Sequence, residues 1–234
     1  MHLTSGLLST VPGIDHGFGM IGEEIPARYQ STWKDLRARW KQVHGNSFSE
    51  ITAVGQECGE VDAVYSRLPG IPIAIMTADC VPILMSRRDG TAAAAIHAGW
   101  RGTRSGIIEK LWQHFRSEGE RPADWVAAVG PAIGPCCYEV SEELAQDFSD
   151  HFAALGGDEG PKLAVPRSRH LDLPAIHAEG LRRLGLSEVE LLRACTKCLR
   201  SGTLEPDGAE RFLLHSYRRE GGGTRQFSVI SIRG

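Results

Sequence analysis

Three residues whose side chains bind metals or act as nucleophiles stand out: His44 in the block QVHG, Cys80 in TADC and His97 in HAGW. One thiolate and two imidazoles make a donor set that suits Zn²⁺ and leaves the fourth tetrahedral position open to water or substrate. The three residues are too far apart along the chain for a finger-type zinc site, whose ligands are only a few residues apart. A folded sheet must therefore bring them together if they form one site.

The same residues allow two other interpretations. Cys80 could be a nucleophile with His97 as its base, and either Asp79 or His44 would then orient that base. Alternatively, the three are unrelated polar residues, because scattered histidines and cysteines are common in proteins. Residue types and spacing alone do not separate a metal ligand from a nucleophile.

Two of the three candidates come after apolar runs that have the length of strands. Residues 71–76, 81–85 and 92–96 predict three strands, and the prolines in the first two belong at a strand start, an edge or a bulge. Cys80 and His97 each follow such a run, where the strand should end. Strand ends are where α/β proteins place their sites, so this position favours a functional role.

Helices and further strands are predicted around this region. A tight loop over residues 97–102 leads out of the third strand. Apolar spacing and capping residues predict three helices, from Ile107 to Gly119, from Ser141 onward, and from Asp172 to Gly185. Strands are expected at 125–129, 189–192, 212–216 and 226–232. The alternation predicts an α/β (α+β) fold with a mixed sheet.

We expect residues 1–234 to form a single domain. The sequence has no internal repeat, and its one linker-like patch, the Gly- and acid-rich segment 154–162, is predicted to be a loop rather than a domain boundary. With 41% hydrophobic and 24% charged residues, the composition excludes a disordered or coiled-coil protein.

Charge and hydropathy narrow the possible partners and the compartment. The net charge is −3 and no basic run is present, so nucleic acid is not expected as a partner. No stretch reaches the roughly 20 apolar residues of a membrane span, and the N-terminus does not look like a secretory signal. The six cysteines are too sparse for a disulfide framework, so we expect a cytoplasmic protein with reduced thiols.

Several blocks of the sequence resemble those of one known family, in the same order. They are QVHG (42–45), TADCVPIL (77–84), HAGWRG (97–102), GPAIGPCCYEV (130–140), CT (195–196) and SYRR (216–219). The chain is similar in these blocks to the laccase-domain family, which includes the YfiH-type purine nucleoside phosphorylases and was formerly described as multicopper polyphenol oxidase. The resemblance runs from about Asp15 to the C-terminus.

The resemblance implies a fold, a cofactor and an activity. The implied fold has mixed sheets in layers flanked by helices, like the deamidase domain of cytotoxic necrotising factor. The implied cofactor is zinc, with copper as a possibility, held by His44, Cys80 and His97, which would also be the catalytic residues. The implied reaction is phosphorolysis of adenosine, inosine, guanosine and methylthioadenosine to the base and ribose 1-phosphate, together with adenosine deamination. Editing of peptidoglycan precursors is the alternative for some members.

These chemistries place different demands on the sequence. The nine histidines include no His-x-His pair, so laccase chemistry fits poorly. The cytidine-deaminase zinc motif is absent, because Ala and Gly follow His97. Phosphorolysis needs donors for phosphate, and Arg101, Arg218 and Arg219 are the candidates. The expected partners are small molecules, a purine nucleoside and phosphate. The protein itself is expected to be a monomer or homodimer. A non-catalytic zinc-binding protein is the non-enzyme alternative.

One departure from the family pattern concerns the substrate. Family members commonly carry Ser-Thr-Arg after the His-Gly-Phe that corresponds to residues 16–18, whereas Gly19-Met20-Ile21 follow here. The arginine is missing, so purine specificity needs another group, and Arg28 is the candidate.

The remaining cysteines and histidines are expected to have no metal-binding role. The C-x-x-C of residues 195–198 lacks a second closely spaced pair, so it predicts neither a zinc ribbon nor a redox motif. Cys136 and Cys137 are expected to pack under their loop. His151, His170 and His177 are predicted to be surface residues of helices or loops.

Overall fold

The computed structural model describes residues 2–156, 159–186, 188–204 and 210–234. Within these ranges the helices are α1 (Gly6–Ser9), α2 (Ala27–Gln30), α3 (Trp33–Leu36), α4 (Trp100–Arg104), α5 (Ile107–Ser117), α6 (Glu142–Gly156), α7 (Glu159–Ala164), α8 (Leu173–Leu184) and α9 (Tyr217–Glu220). None of them, over the ranges given, is long and apolar enough to cross a membrane.

The strands are mostly short. They are β1 (Ile14–Phe18), β2 (Arg39–Lys41), β3 (Phe48–Ile51), β4 (Glu57–Glu60), β5 (Ala63–Ser66), β6 (Ile73–Thr77), β7 (Val81–Arg87), β8 (Ala93–Ala98), β9 (Trp125–Val129), β10 (Glu188–Leu191), β11 (Arg200–Leu204), β12 (Glu210–Phe212) and β13 (Gln226–Ile232).

Two sheets form the body of the protein. The larger one has six strands in the order β10-β9-β7-β8-β5-β3, in which β10 and β9 are parallel, β3 and β5 are parallel, and the other pairs are antiparallel. The second is an antiparallel sheet in the order β1-β13-β6. The pairs β11-β12 and β2-β4 form two small ribbons.

The six-stranded sheet is buried on both faces, as β8 shows most clearly. Ala94 and Ile96 face a core that contains Trp112 of α5, whereas Ala93 and Ala95 face a second core formed with the three-stranded sheet. Alternate residues of a strand point to opposite faces, so the small alanines let both layers approach the strand closely. This arrangement explains why the run has no strong strand signature.

Helices cover the outer faces of both sheets. Helix α5 packs on the six-stranded sheet through its apolar stripe, and α8 packs on the same face. On the other side of the protein, Tyr29 of α2 and Trp33 of α3 pack against Ala74 and Val229 of the three-stranded sheet. The predicted α/β class, with mixed sheets in layers flanked by helices, is therefore confirmed.

Capping follows the sequence signals in the two clearest helices. The side chain of Asp172 accepts a hydrogen bond from the N–H of Ala175 at 2.9 Å, and Gly185 ends α8 in the left-handed region with φ of 110°. Helix α5 ends at Ser117, shortly before Gly119, as its spacing predicts.

Other predicted elements differ from the structure. Of the predicted loop 97–102, residues 97–98 are the last two residues of β8 and residues 100–102 begin α4. The predicted strand 212–216 ends at Phe212, and residues 217–220 are the helix α9. Of the predicted loop 154–162, residues 154–156 and 159–162 are helical, whereas residues 157–158 lie outside the described residues. Eight short elements before residue 71 give no strong periodicity and are not predicted.

His177 corrects the prediction of a surface residue. It lies on α8 with its side chain buried, and its Nε2 is 2.8 Å from Oγ1 of Thr103 on α4. Burial lowers the pKa of this imidazole to about 3. The ring is therefore neutral at physiological pH and joins α4 to α8.

Candidate metal and substrate site

His44 lies in the turn between β2 and β3 and has a strained backbone. Its φ is 62°, in the left-handed region that non-glycine residues rarely occupy. The turn is held by the carboxylate of Asp62, which accepts the N–H groups of Val43 at 3.2 Å, His44 at 2.9 Å and Gly45 at 2.7 Å. Three N–H groups converging on one anion stabilise this conformation.

Asp62 also fixes the second histidine. It is fully buried, its Oδ1 is 2.8 Å from Nδ1 of His97, and its backbone carbonyl accepts the N–H of His97 at 2.7 Å. A carboxylate at Nδ1 holds the imidazole in the tautomer that has its proton there and leaves Nε2 as the free ligand atom. One carboxylate thus positions both His44 and His97.

The structure brings the three candidate residues together. The ligand atoms of His44, Cys80 and His97, which we call the His–Cys–His triad, all lie within 4.8 Å of one another. The two imidazole rings meet edge to face with their centres 4.8 Å apart. His97 is buried near the end of β8, Cys80 is half-buried immediately before β7, and His44 is exposed. The triad therefore has a protein side and an open side.

Gly99 makes this convergence possible. A Cβ atom at this position would lie 3.0 Å from Sγ of Cys80 and 3.1 Å from Cδ2 of His44. Both distances are shorter than ordinary van der Waals contacts, so any larger residue would displace two members of the triad. The glycine in the HAGW block has a steric reason to be there.

The triad favours a charged thiolate. Burial raises the pKa of the Cys80 thiol, but hydrogen bonds and charges from His44 and His97 outweigh burial and lower it to about 6. Burial likewise opposes the charge of His97, but Asp62 and Cys80 raise its pKa to about 9. Without a metal ion the arrangement is therefore an ion pair of thiolate and imidazolium supported by a buried carboxylate, and a bound ion would displace the proton on Nε2.

The donor set fits a divalent metal ion. One thiolate sulfur and two imidazole nitrogens suit Zn²⁺, and a three-residue set leaves a position for water or substrate. The carboxylate behind His97 is the outer partner that metal-bound histidines usually have. Among the described residues, the only other group of side chains that could hold a metal ion consists of cysteines. Nothing in these ranges therefore resembles a multinuclear copper cluster of histidines.

Asp79 does not orient His97 as the nucleophile interpretation allowed, because Asp62 occupies that place. Oδ1 of Asp79 accepts the hydroxyl of Thr196 at 2.6 Å, and Oδ2 accepts the N–H of Arg218 at 2.7 Å. Asp79 itself has a left-handed backbone, with φ of 88°. Its contacts hold the residue before Cys80 in place.

The three candidate arginines differ in how many of their donors are free. Arg101 is exposed, lies on α4 with its guanidinium 4.3 Å from the Trp100 ring centre, and makes no ion pair with the described part of the chain. Arg218 is exposed and uses one Nη1 donor on the carbonyl of Glu139 at 2.8 Å. Arg219, in contrast, gives its donors to three backbone carbonyls, those of Thr196, Lys197 and Leu214.

Tyr138 packs near one of the candidate arginines. The ring is buried, and the guanidinium of Arg218 lies 5.5 Å from its centre. Burial and the nearby Cys80 thiolate raise the pKa of the phenol to about 12, against the opposing charges of Arg218 and Arg101. A neutral phenol therefore lies within electrostatic reach of both parts of the site.

Sequence reasoning missed Asp62 and Tyr138. Tyr138 stands inside the block GPAIGPCCYEV, whereas Asp62 had no motif around it, and its only signal is an acid directly before an apolar strand. Arg28, the candidate replacement for the missing family arginine, forms an ion pair with Asp15 at 2.5 Å. No described contact joins Arg28 to the triad.

Comparison with known proteins gives one family and a consistent set of relatives. The model of the family described as multi-copper polyphenol oxidoreductase laccase matches residues 26–233. A Haemophilus influenzae protein named purine nucleoside phosphorylase is 32% identical over 195 residues, which cover 81% of this chain and 71% of the relative. The Shigella flexneri purine nucleoside phosphorylase YfiH is 42% identical over 108 residues, and this match covers 46% of this chain and only 43% of the relative.

A solved structure supports the fold. The crystal structure of the Bacillus licheniformis hypothetical protein YfiH superposes with a TM-score of 0.76 at 23% identity, covering 94% of this chain and 93% of the other. Identity at this level shows the shared fold alone. The family model, by contrast, matches nearly the whole sequence, and the chain therefore belongs to the multi-copper polyphenol oxidoreductase laccase family, which the YfiH-type relatives represent.

Proposed function

We propose that this chain is a zinc-dependent purine nucleoside phosphorylase. The observation that carries the proposal is the His–Cys–His triad, open on one side, with two arginines anchored beside it in the chain. Arg101 follows Gly99 by two residues, and the N–H of Arg218 is bound to Asp79, the neighbour of Cys80; within the described residues both guanidinium groups keep donors without a protein acceptor. The names of the matched relatives support the same activity. Adenosine, inosine, guanosine and methylthioadenosine are the proposed substrates, each cleaved with phosphate to the base and ribose 1-phosphate.

The residues of the triad would hold the metal ion. Asp62 keeps the proton of His97 on Nδ1, so that Nε2 faces Cys80 and His44. A bound Zn²⁺ would supply a Lewis acid that polarises the purine or a water molecule. The buried side of the site, formed by His97 and Asp62, limits the access of bulk water and strengthens these electrostatic interactions.

The arginines would bind the second substrate. In phosphorolysis a phosphate oxygen forms a bond to C1′ of the ribose, the C1′–N9 bond breaks, and its electron pair passes to the purine, which then takes up a proton. Guanidinium groups bind phosphate oxygens through paired N–H donors, and Arg101 and Arg218 have such donors free. Arg219 is assigned a positioning role instead, because its donors are bound to carbonyls.

Adenosine deamination is the proposed second activity of the same site. It needs an activated water molecule in the open position of the triad and a group that moves a proton. The imidazole of His97 is fixed by Asp62 and is committed as a ligand, so the proton carrier would have to come from another residue or from water.

The cysteine-hydrolase alternative uses the same geometry differently. The Cys80 thiolate next to His97 is also the arrangement of an activated nucleophile, which would form an acyl intermediate with a peptidoglycan precursor. A trapped thioester on Cys80 would favour this alternative. Protection of Cys80 from alkylation by zinc is compatible with both functions and does not separate them.

The deciding experiment measures products. Protein of known zinc content is incubated with adenosine or inosine, with and without phosphate, and the products are separated by chromatography. We expect adenine from adenosine and hypoxanthine from inosine only when phosphate is present. The Cys80→Ala variant should lose this activity, whereas Cys58→Ala, which removes a half-buried free thiol of β4, should keep it.

Three other outcomes would change the conclusion. Inosine formed from adenosine without phosphate would establish deamination. Absence of turnover in zinc-loaded protein would refute the nucleoside as substrate, and cell-wall precursors would be tested next. Bound zinc whose removal unfolds the protein, without any turnover, would favour a non-catalytic zinc protein. A single catalytic domain over residues 1–234, a cytoplasmic location, a monomer or homodimer, and the absence of nucleic-acid partners stay predictions.

A further inference from the structure

A second group of metal-type ligands lies outside the triad. It consists of four thiols whose sulfur atoms all lie within 4.8 Å of one another, and we call it the four-cysteine cluster: Cys136, Cys137, Cys195 and Cys198. The first two residues are adjacent in the loop after β9, and the other two form the C-x-x-C in the loop after β10. Three of the four cysteines stand in the blocks that resemble the family, but the proposed function uses none of these side chains.

Sheet topology explains why the two pairs meet. Strands β9 and β10 are parallel neighbours, so both chains leave the sheet at the same edge. The pairing continues beyond the strands, because the N–H of Ala132 donates to the carbonyl of Ala194 and the N–H of Thr196 donates to the carbonyl of Ala132. This extension holds the two cysteine loops side by side.

The spacing of the sulfur atoms matches a tetrahedral metal site. With Zn–S bonds of about 2.3 Å, the edges of a ZnS₄ tetrahedron are about 3.8 Å long. Sγ of Cys136 and Sγ of Cys198 are 3.7 Å apart. A disulfide would need about 2.0 Å. Four thiolates with no open position are the donor set of structural zinc sites, since catalytic sites keep one position free.

A backbone donor at Cys195 points to the same use. The N–H of Gly134 donates to its Sγ at 3.3 Å. A backbone N–H on a cysteine sulfur stabilises a thiolate, and such hydrogen bonds commonly support metal-bound cysteines. The turn closes with the N–H of Leu199 on the carbonyl of Cys195 at 2.9 Å.

The loop of this cluster also braces the candidate active site. Thr196, fully buried between the two cysteines, donates its hydroxyl to Asp79, the neighbour of Cys80. The carbonyls of Thr196 and Lys197 bind the guanidinium of Arg219. A metal ion in the four-cysteine cluster would therefore fix residues 196–197, which bind Asp79 and Arg219 of α9.

We propose that the four-cysteine cluster binds a second Zn²⁺ ion with a structural role, distinct from the ion of the triad. The ion cross-links the loops after β9 and β10 and holds the Thr196–Asp79 contact beneath the triad. The sequence does not predict this site, because its two halves are a pair of adjacent cysteines and a lone C-x-x-C, and neither is a zinc motif by itself.

The test is a metal count that does not depend on activity. Protein equilibrated with Zn²⁺ under reducing conditions, then freed of loose metal, is expected to contain two zinc ions per chain by elemental analysis. Cys80→Ala and the double variant Cys136→Ser/Cys198→Ser should each contain one. Cys58→Ser is the matched control, because it removes a free thiol outside both groups, and it should keep two.

A spectroscopic experiment identifies the ligands. In the Cys80→Ala background, Cd²⁺ exchanged for zinc should show ultraviolet sulfur-to-metal charge transfer with about four times the amplitude expected for one thiolate. Cys198→His should keep the ion with about three quarters of that amplitude, because histidine replaces one thiolate but still ligates. Cys136 and Cys198 are both exposed, so the variants are expected to fold.

Two results would overturn the proposal. One is a single zinc ion in the wild-type protein, with all four thiols of the cluster alkylated as fast as unfolded cysteines. The other is a disulfide within the cluster, detected by mass under non-reducing conditions and still present after exposure to zinc and a mild reductant. Bound iron in place of zinc would keep the four-thiolate site but refute the identity of the metal.

Discussion

The substitution Asp62→Asn tests how the triad is built. Each carboxylate oxygen of Asp62 accepts two N–H groups. Oδ1 accepts the backbone N–H of His44 and the ring N–H of His97, and Oδ2 accepts the backbone N–H groups of Val43 and Gly45. Asparagine has the same shape, but its NH₂ group donates and cannot accept. Whichever way the amide is turned, two of the four N–H groups then face a donor.

Whether stability or zinc affinity is lost depends on which pair of N–H groups loses its acceptor. If the NH₂ group faces the turn, two partly buried hydrogen bonds to a carboxylate are lost, and at about 1–3 kcal/mol each the free energy of unfolding falls by about 2–6 kcal/mol. If it faces His97, the imidazole must move its proton to Nε2, the atom that would ligate zinc. Loss of such an outer partner typically weakens metal binding by about 10–100-fold.

The assay pairs zinc affinity with stability. Zinc affinity is measured by competition with a chromogenic chelator, and the free energy of unfolding by urea titration in the zinc-free state. Asp15→Asn is the control, because this half-exposed carboxylate pairs with Arg28 and Arg233 away from the triad, and it should change stability by no more than about 0.5 kcal/mol. If Asp62→Asn behaves like this control in both measurements, the carboxylate does not position the ligands and the reasoning is wrong.

Three further predictions use single substitutions. Gly99→Ala should weaken zinc binding at least about tenfold in the same chelator assay, since its Cβ meets two ligands, whereas Gly180→Ala, with open space around it, should not. His177 has a pKa of about 3 in the folded protein and about 6.5 in the unfolded chain. As the pH falls, the unfolded chain therefore binds the proton first, and the free energy of unfolding drops by about 2 kcal/mol between pH 7 and pH 5. Urea titration at the two pH values should show this drop in the wild-type protein and not in His177→Gln. Arg101→Ala should raise the KM for phosphate more than the KM for the nucleoside in steady-state kinetics. Arg104→Ala is the control and should change neither KM, because the Arg104 guanidinium pairs with an aspartate. Equal effects of the two substitutions would contradict the phosphate assignment.

Sequence reasoning predicted the elements whose apolar pattern is strong. Strand 125–129 and strand 226–232 have the predicted bounds, and the helices α5 and α8 begin and end near their predicted caps. The short elements before residue 71 were missed because helices and strands of three to five residues contain too few residues for a period to show.

The site was predicted only in part because its supports are far apart in sequence. The triad residues are recognisable by type, but Asp62 and the Thr196–Asp79 contact depend on which strands are neighbours, and no local pattern encodes that. The four-cysteine cluster shows the same limit, since only the parallel pairing of β9 and β10 joins its halves. Long-range strand pairing was the missing information in each case.

Backbone strain at the site gives a physical reason for these distant supports. Of the three non-glycine residues with positive φ in the described ranges, His44 belongs to the triad and Asp79 directly precedes Cys80. Such conformations cost of order 1–3 kcal/mol each and persist only when surrounding contacts enforce them. Asp62 supplies those contacts for His44, and Thr196 with Arg218 supplies them for Asp79. The ligand positions are therefore fixed before any ion binds, which limits the reorganisation that metal or substrate binding would otherwise require.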